Sequence, residues 1–257
     1  MSGFVSIVGA GPGAPDLLTV RAARRLEEAD LVLHDGLVPM AIVELAREAR
    51  RLPVSRRPGS ARVQPAAVGG LMIEAARAGQ RVVRLRAGDP FILARGAEEA
   101  LELVTAGIPF EVVPGLTTAS VAPTLAGIPL THRGVAAGFL VLSGHAPEAY
   151  APVLAALPAH GVTLVVLMGL AERGSIARLL VQQGWRPDTP AVVLLAASHP
   201  EARTRACRLD ELEDDDPAIV PGVPGVIVVG DVVDVGLKIA AAMTSSDRGI
   251  EETAWQP

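Results

Sequence analysis

Short β-branched runs alternate along the chain with longer stretches in which apolar residues recur every three to four positions, and the alternation lasts to about residue 243. The runs predict strands at Val5–Val8, Leu31–His34, Val82–Leu85, Glu111–Val113, Phe139–Leu142, Thr163–Leu167, Val192–Leu195 and Val226–Val229. The stretches between them predict helices at Thr19–Ala29, Ala41–Ala49, Ala66–Arg77, Ala97–Ala106, Thr117–Ala126, Pro147–Leu157, Ser175–Gln183 and Val232–Met243. Gly79, Gly107, Gly127 and Gly184 fall where helix C-caps are expected, with Pro109 and Pro129 two residues beyond two of them. The Ala-Gly-Ile-Pro segment at 106–109 and again at 126–129 is then one stop signal used twice, and not an internal repeat. Strand followed by helix, repeated, is the pattern of βαβ units on a largely parallel sheet, so the expected fold class is α/β. The pattern restarts after Pro114-Gly115, which divides the chain into an N-terminal α/β domain over 1–114 and a C-terminal α/β domain over 115–243. Residues 244–257 are polar, acidic at Glu251-Glu252 and without periodicity, and are expected to form a disordered tail.

Composition narrows the class. At 257 residues, 50% hydrophobic and 20% charged, the chain suits a globular protein of two modest cores. The longest apolar stretch, Val162 to Leu170, falls short of the ~20 residues a membrane helix needs, and the first 25 residues hold a strand and a glycine loop in place of a signal-peptide core. No membrane association is therefore expected. The single cysteine, Cys207, allows no internal disulfide and points to a reducing, cytoplasmic compartment. A net charge of -5 argues against nucleic acid as a partner. The histidines, His34, His132, His145, His160 and His199, lack ligand spacing, so no metal site is expected. All basic residues except Lys238 are arginines. That bias reflects either codon usage or a need for bidentate carboxylate recognition, to which the planar guanidinium is suited.

Two glycine-rich loops, each directly after a predicted strand, carry the clearest chemical signal: Gly9-Ala10-Gly11-Pro12-Gly13 and Ala87-Gly88-Asp89-Pro90-Phe91. Glycine clusters at the carboxyl ends of strands are where open α/β sheets admit small ligands to the backbone. Gly9-x-Gly11-x-x-Ala14 also satisfies a permissive dinucleotide fingerprint, with Asp35 near the position of a ribose-binding acid, so a nicotinamide oxidoreductase is one reading. Pro12, Pro15 and Pro90, however, remove backbone N–H donors where a pyrophosphate would need them. Loops that shed donors and keep carbonyls suit a neutral or cationic ligand. The chain also has no Tyr-x-x-x-Lys pair, Tyr150 and Lys238 being the single tyrosine and lysine.

These loops, together with Arg95-Gly96-Ala97-Glu98-Glu99, Val113-Pro114-Gly115-Leu116-Thr117-Thr118-Ala119, Thr131-His132-Arg133-Gly134, Leu167-Met168-Gly169-Leu170 and the closing Val226-Ile-Val-Val-Gly-Asp-Val-Val, resemble the tetrapyrrole methylases, and within them the uroporphyrinogen-III C-methyltransferases. The resemblance implies two α/β domains with the active site in the cleft between them, a homodimer, and S-adenosylmethionine as cofactor. It assigns Pro12, Gly88, Asp89, Thr117, Thr118 and Met168 to cofactor binding. It implies uroporphyrinogen III, a tetrapyrrole with eight carboxylates, as substrate, methylated twice at pyrrole carbons through precorrin-1 to precorrin-2, in siroheme or cobalamin biosynthesis. Arg86, His132 and Arg133 would then bind the substrate, and Arg95, oriented by Glu98, would assist loss of the proton. The competing reading of Arg95 and Glu98 is an i,i+3 ion pair on a helix surface.

The chain departs from the family pattern in several places. Ala14 replaces an aspartate, and Asp35-Gly36-Leu37-Val38 lacks an arginine usually credited to substrate binding. Pro65 and Gly69 stand where a glutamine and an asparagine are usual, and Ala87, Ala94 and Ala97 replace glycines. Arg56, Arg57 and Arg62 are either substitutes for the lost arginine or a solvated basic loop. Beside the favoured enzyme stand three alternatives: a methyltransferase for another precorrin, the oxidoreductase, and a non-catalytic homologue.

Overall fold

The computed structural model describes residues 3–54, 65–214, 216–217, 219 and 222–246. The chain separates into two compact units, residues 1–118 and 119–257, each with its own sheet.

The first unit holds five strands, β1 (Phe4–Gly9), β2 (Leu31–His34), β3 (Arg50–Pro53), β4 (Arg81–Arg86) and β5 (Phe110–Val113), in the order β3-β2-β4-β1-β5 with every pairing parallel. Parallel strands need crossovers, supplied here by α1 (Val20–Glu27), the single turn α2 (Met40–Val43), α3 (Pro65–Arg77) and α4 (Gly96–Thr105). The two-residue side-chain period of a strand sorts the apolar residues onto two covered faces. Val8, Val32, Val83 and Leu85 pack with Ala22 and Leu26 of α1 and with Ile42 and Val43 of α2. Val5, Ile7, Leu31, Leu33 and Val82 pack with Met72 of α3 and with Ala100 and Leu103 of α4. Arg84 is two residues beyond Val82 and therefore faces the α4 side.

The second unit holds β6 (Gly138–Ser143), β7 (Val162–Leu167), β8 (Pro190–Leu195), β9 (Arg203–Arg208) and β10 (Gly225–Val229), ordered β6-β7-β10-β8-β9. Only β6 and β7 run parallel; the three other pairings are antiparallel, which corrects the expectation of a largely parallel sheet for this half. For β8 and β9 the physical cause is connection length, since the short segment between them holds no helix and can only turn the chain back on itself. Helices α6 (Pro147–Ala155) and α7 (Arg173–Gln182) cover one face with Tyr150, Leu154, Ile176 and Leu180, while α5 (Thr118–Leu125) and α8 (Val232–Ser246) contribute Ala119, Ala122 and Val233 to the other.

All eight predicted strands are present, and β3 and β9 are additional. The helix expected over Ala41–Ala49 forms only its first turn, and the chain beyond it is held by turns before β3. Gly107 and Gly127 take φ of +67° and +73° after α4 and α5, as C-caps require. Helix α8 continues to Ser246, so 244–246 are helical and not part of a disordered tail, and the rest of that segment lies outside the described residues, as do Arg56, Arg57 and Arg62. No helix among the described residues is long and apolar enough to cross a membrane.

Candidate active site

In the first unit the carboxyl ends of β1, β4 and β5 are joined backbone to backbone. Gly11 N donates to Gly88 O at 3.2 Å and Gly88 N to Gly11 O at 2.8 Å, a two-residue antiparallel bridge between the two glycine loops. Gly115, just after β5, lies so close that a Cβ there would come within 2.3 Å of Gly88 O. Asp89 completes the junction, its Oδ1 accepting from Phe91 N at 2.8 Å and its Oδ2 from Gly115 N at 3.1 Å. The carboxylate expected to line a cofactor site thus also builds the loops that would carry it. Above Gly88, whose φ is +70°, the space a Cβ would occupy is bounded by Thr118 Oγ1 at 3.8 Å. Pro12, Gly88, Thr117 and Thr118 are all carried on these strand-end loops and the first residue of α5.

Arg95 is the N-cap residue of α4, and its guanidinium lies 3.6 Å from Glu98 with both side chains more than half exposed. The pair has the geometry of an ordinary i,i+3 surface contact worth ~0.2–0.5 kcal/mol, and Arg95 is open to a ligand. Three apolar side chains, Phe91, Ile92 and Leu93, are exposed on the loop just before it, Leu93 at φ +50°.

β4 also carries a buried charge network. Arg84, 3% exposed, donates from Nη2 to Asp35 Oδ1 at 2.6 Å, from Nε to Glu99 Oε1 at 2.9 Å and from Nη1 to Leu33 O and Leu85 O, both at 3.2 Å. Arg86 donates from Nη1 to the same Glu99 Oε1 at 2.7 Å, and its Nη2 stands 3.8 Å from Asp35 Oδ2. Burial pulls the Arg84 guanidinium down, but the charges of Asp35 and Glu99 outweigh it and hold it above the ordinary arginine value. Removing one member would leave a buried charge uncompensated, a loss of ~3–5 kcal/mol. Asp35, the acid the dinucleotide reading needed for ribose, is therefore committed to Arg84. Arg86, placed by sequence among substrate-binding residues, is held by Glu99. The available signal was an arginine inside an otherwise buried run, Val82-Val83-Arg84-Leu85, since a charge in such a strand requires a partner.

In the second unit, Met168 follows β7 with φ +57° and 54% exposure, a strained conformation for a residue with a side chain. Gly144 donates to Leu167 O at 2.8 Å, and its missing Cβ would meet Gly169 Cα at 2.7 Å, so the turns after β6 and β7 are packed against each other. Ser143 Oγ and His145 Nδ1 lie 2.7 Å apart beside them. His132 and Arg133 are exposed on a loop closed by paired hydrogen bonds between the backbones of His132 and Ala136, each 3.0 Å.

The family model of the tetrapyrrole (corrin/porphyrin) methylases matches residues 5–213. Among solved structures, the uroporphyrin-III C-methyltransferase of Thermus thermophilus, complexed with S-adenosylhomocysteine, is 38% identical with a TM-score of 0.77 over 90% of this chain and 99% of that one. Siroheme synthase 1 of Halorhodospira halophila is 41% identical over 233 residues, 90% of this chain and 48% of the relative. The siroheme synthase of Azotobacter vinelandii is 42% identical over 240 residues, 93% of this chain and 52% of the relative. The chain thus spans about half the length of the curated relatives it matches. With the match covering the first sheet, every strand-end loop of the first unit and the second sheet up to β9, the chain belongs to the tetrapyrrole methylases.

Proposed function

We propose that the chain is an S-adenosylmethionine-dependent C-methyltransferase that converts uroporphyrinogen III to precorrin-2 by two methylations at pyrrole carbons, in siroheme or cobalamin biosynthesis. The observation that carries this reading is the stitched strand-end platform of the first unit, where the backbones of Gly9, Gly88 and Gly115 meet and Thr118 lies beside Gly88. The likeness to the Thermus thermophilus methyltransferase supports it. The committed state of Asp35 and the family membership set the nicotinamide reading aside.

The residues fit the cofactor. Gly88 takes a left-handed φ of +70° and presents backbone with no side chain beside Thr118, the kind of surface a nucleoside can approach closely. Pro12, Gly88, Thr117 and Thr118 would hold the cofactor in this unit, with Asp89 fixing the loops. In the second unit the same reading assigns Met168 to the cofactor and His132 and Arg133 to substrate carboxylates. When bound, the cofactor supplies an electrophilic methyl group on a sulfonium. The reduced tetrapyrrole already offers an electron-rich carbon, so the chain mainly has to hold that carbon in line, which is worth ~7–11 kcal/mol. The exposed Phe91, Ile92 and Leu93 offer apolar contact to the macrocycle and Arg95 a cation to its carboxylate arms. Arginine stays protonated at neutral pH, so Arg95 acts on proton loss electrostatically and not as a free base.

The proposal includes a cytoplasmic homodimer. In its support, α8 exposes Leu237, Ile239 and Met243, an apolar surface suited to a second copy, and Cys207 is a free thiol. The test is anaerobic incubation of the chain with uroporphyrinogen III and methyl-labelled S-adenosylmethionine, followed by mass. Two methyl groups gained, and lost in Arg95→Ala, are expected. Cofactor binding without methyl gain would move the substrate to another precorrin or the chain to a non-catalytic role.

A further inference from the structure

Arg84 and Arg86 share Glu99 unequally. Arg84 is fixed by four hydrogen bonds, to Asp35, Glu99 and two backbone carbonyls. Arg86 has one close bond, Nη1 to Glu99 Oε1, and a second carboxylate at 3.8 Å. Among the described residues its Nε is buried without a hydrogen-bond partner, and the same holds for Glu99 Oε2. One oxygen of Glu99 therefore takes both guanidiniums while the other accepts from no described residue. The four side chains Arg84, Arg86, Asp35 and Glu99 sum to zero charge, and Arg84 alone can hold Glu99 if Arg86 leaves. Arg86 is also the last residue of β4, directly before the Ala87-Gly88-Asp89 loop.

We propose that Arg86 is a carboxylate-binding residue whose resting partner is Glu99, and that a carboxylate arm of the tetrapyrrole displaces Glu99 from it. This rests on the methyltransferase reading above and identifies Glu99 as a residue that sets substrate affinity by competing for the same cation. Replacing one carboxylate by another on a guanidinium keeps the charge-assisted hydrogen bond in both states, so the exchange needs little net energy. Glu99 sits on the first turn of α4, four residues after Arg95, and so returns a displaced carboxylate to Arg84 without moving the helix. A Glu99 that merely supports the fold would give the opposite response to substitution, because its loss could only loosen the site.

The discriminating variant is Glu99→Gln, which keeps the shape but frees Arg86 and leaves the network with one positive charge. The KM for uroporphyrinogen III is expected to fall about tenfold, equivalent to about 1.4 kcal/mol, with kcat little changed. Uroporphyrinogen III added without cofactor should raise the melting midpoint of Glu99→Gln more than that of the wild type, because the ligand then supplies the missing counter-charge. Arg86→Gln should raise KM about tenfold, and the double variant should match Arg86→Gln, since the gain at position 99 acts through Arg86. An unchanged or raised KM in Glu99→Gln overturns the proposal. If that variant does not fold, Arg86→Gln decides: it leaves Glu99 paired with Arg84, and an unchanged KM overturns the proposal equally. A wild type that binds cofactor but methylates nothing removes the methyltransferase reading and this inference with it, whereas an active wild type with an unresponsive Glu99→Gln removes the inference alone.

Discussion

Gly9→Ala probes whether the strand-end platform of the first unit is both a structural joint and a binding surface. Gly9 is the last residue of β1, and its φ lies outside the left-handed region, so alanine meets no backbone strain there. What it meets is atoms. An ideal Cβ at this position lies 2.5 Å from Gly115 N, 2.6 Å from Gly115 Cα and 2.6 Å from Gly88 O. Ordinary carbon contacts are 3.4–4 Å, and all three neighbours are backbone and cannot rotate away. The loops after β4 and β5 must then retreat by roughly 1 Å from β1, an overpacking that costs ~1–3 kcal/mol. For a unit of this size each kcal/mol lowers the melting midpoint by about 4 °C. Those loops carry Gly88, Thr117 and Thr118, so a 1 Å shift is expected to weaken S-adenosylhomocysteine at least tenfold and to slow methyl transfer by up to about 10²-fold. Thermal unfolding and calorimetric titration with S-adenosylhomocysteine measure both effects. Gly70→Ala is the control: it lies in α3 with no described residue within 4 Å of the added carbon, and should stabilise by ~0.5–1 kcal/mol. A Gly9→Ala protein that melts and binds like the wild type would refute the joint. One that melts early but binds normally would show that the ligand does not rest on it.

Two further outcomes follow from titratable groups. Glu111 of β5 receives hydrogen bonds from Arg25 and from Ser6, the latter at 2.9 Å, and Arg25 foremost holds its carboxyl below the ordinary 4.5. A depressed folded value means the contribution is complete above 4.5 and is lost as pH falls from there towards that value. Glu111→Gln should therefore lose less stability than the wild type on acidification below 4.5, measured by urea unfolding against pH, and parallel curves would refute the assignment. Burial pushes the Cys207 thiol up to about 11, so at pH 8 only about a thousandth of it is thiolate. An aromatic disulfide reagent should label the native chain at least about 10²-fold more slowly than the urea-unfolded chain, and equal rates would contradict the buried setting.

The parts of the fold that could be read from the chain were those whose signal is local. The eight strands made of apolar or β-branched runs were all legible because each stands out as a continuous run, and β1, β4, β8 and β10, covered on both faces, need no alternation. β3, Arg50-Arg51-Leu52-Pro53, and β9, Arg203-Thr204-Arg205-Ala206-Cys207-Arg208, were not legible, because both are edge strands with mostly exposed polar side chains. They become strands only because β2 and β8 offer them a free edge. The helix expected at Ala41–Ala49 stops after one turn because the chain must reach Arg50 in register with Leu31. For the site, the glycine loops, Thr117-Thr118 and Arg95 announced themselves by residue type and by position after strands, whereas Asp35 and Arg86 were legible as charged residues but not by partner.

By itself the sequence determined the alternation of elements, the helix stops, the two strand-end glycine loops and the family, since each depends on a few neighbouring residues and their turn chemistry. Tertiary structure alone decided that the second sheet is mostly antiparallel and that Gly9, Gly88 and Gly115 touch. It also decided that Arg84 links Asp35, 49 residues away, to Glu99, 15 residues away. Strand direction and charge pairing are set by which distant segments pack together, and a buried charge records in sequence only that it must have a partner, not which one.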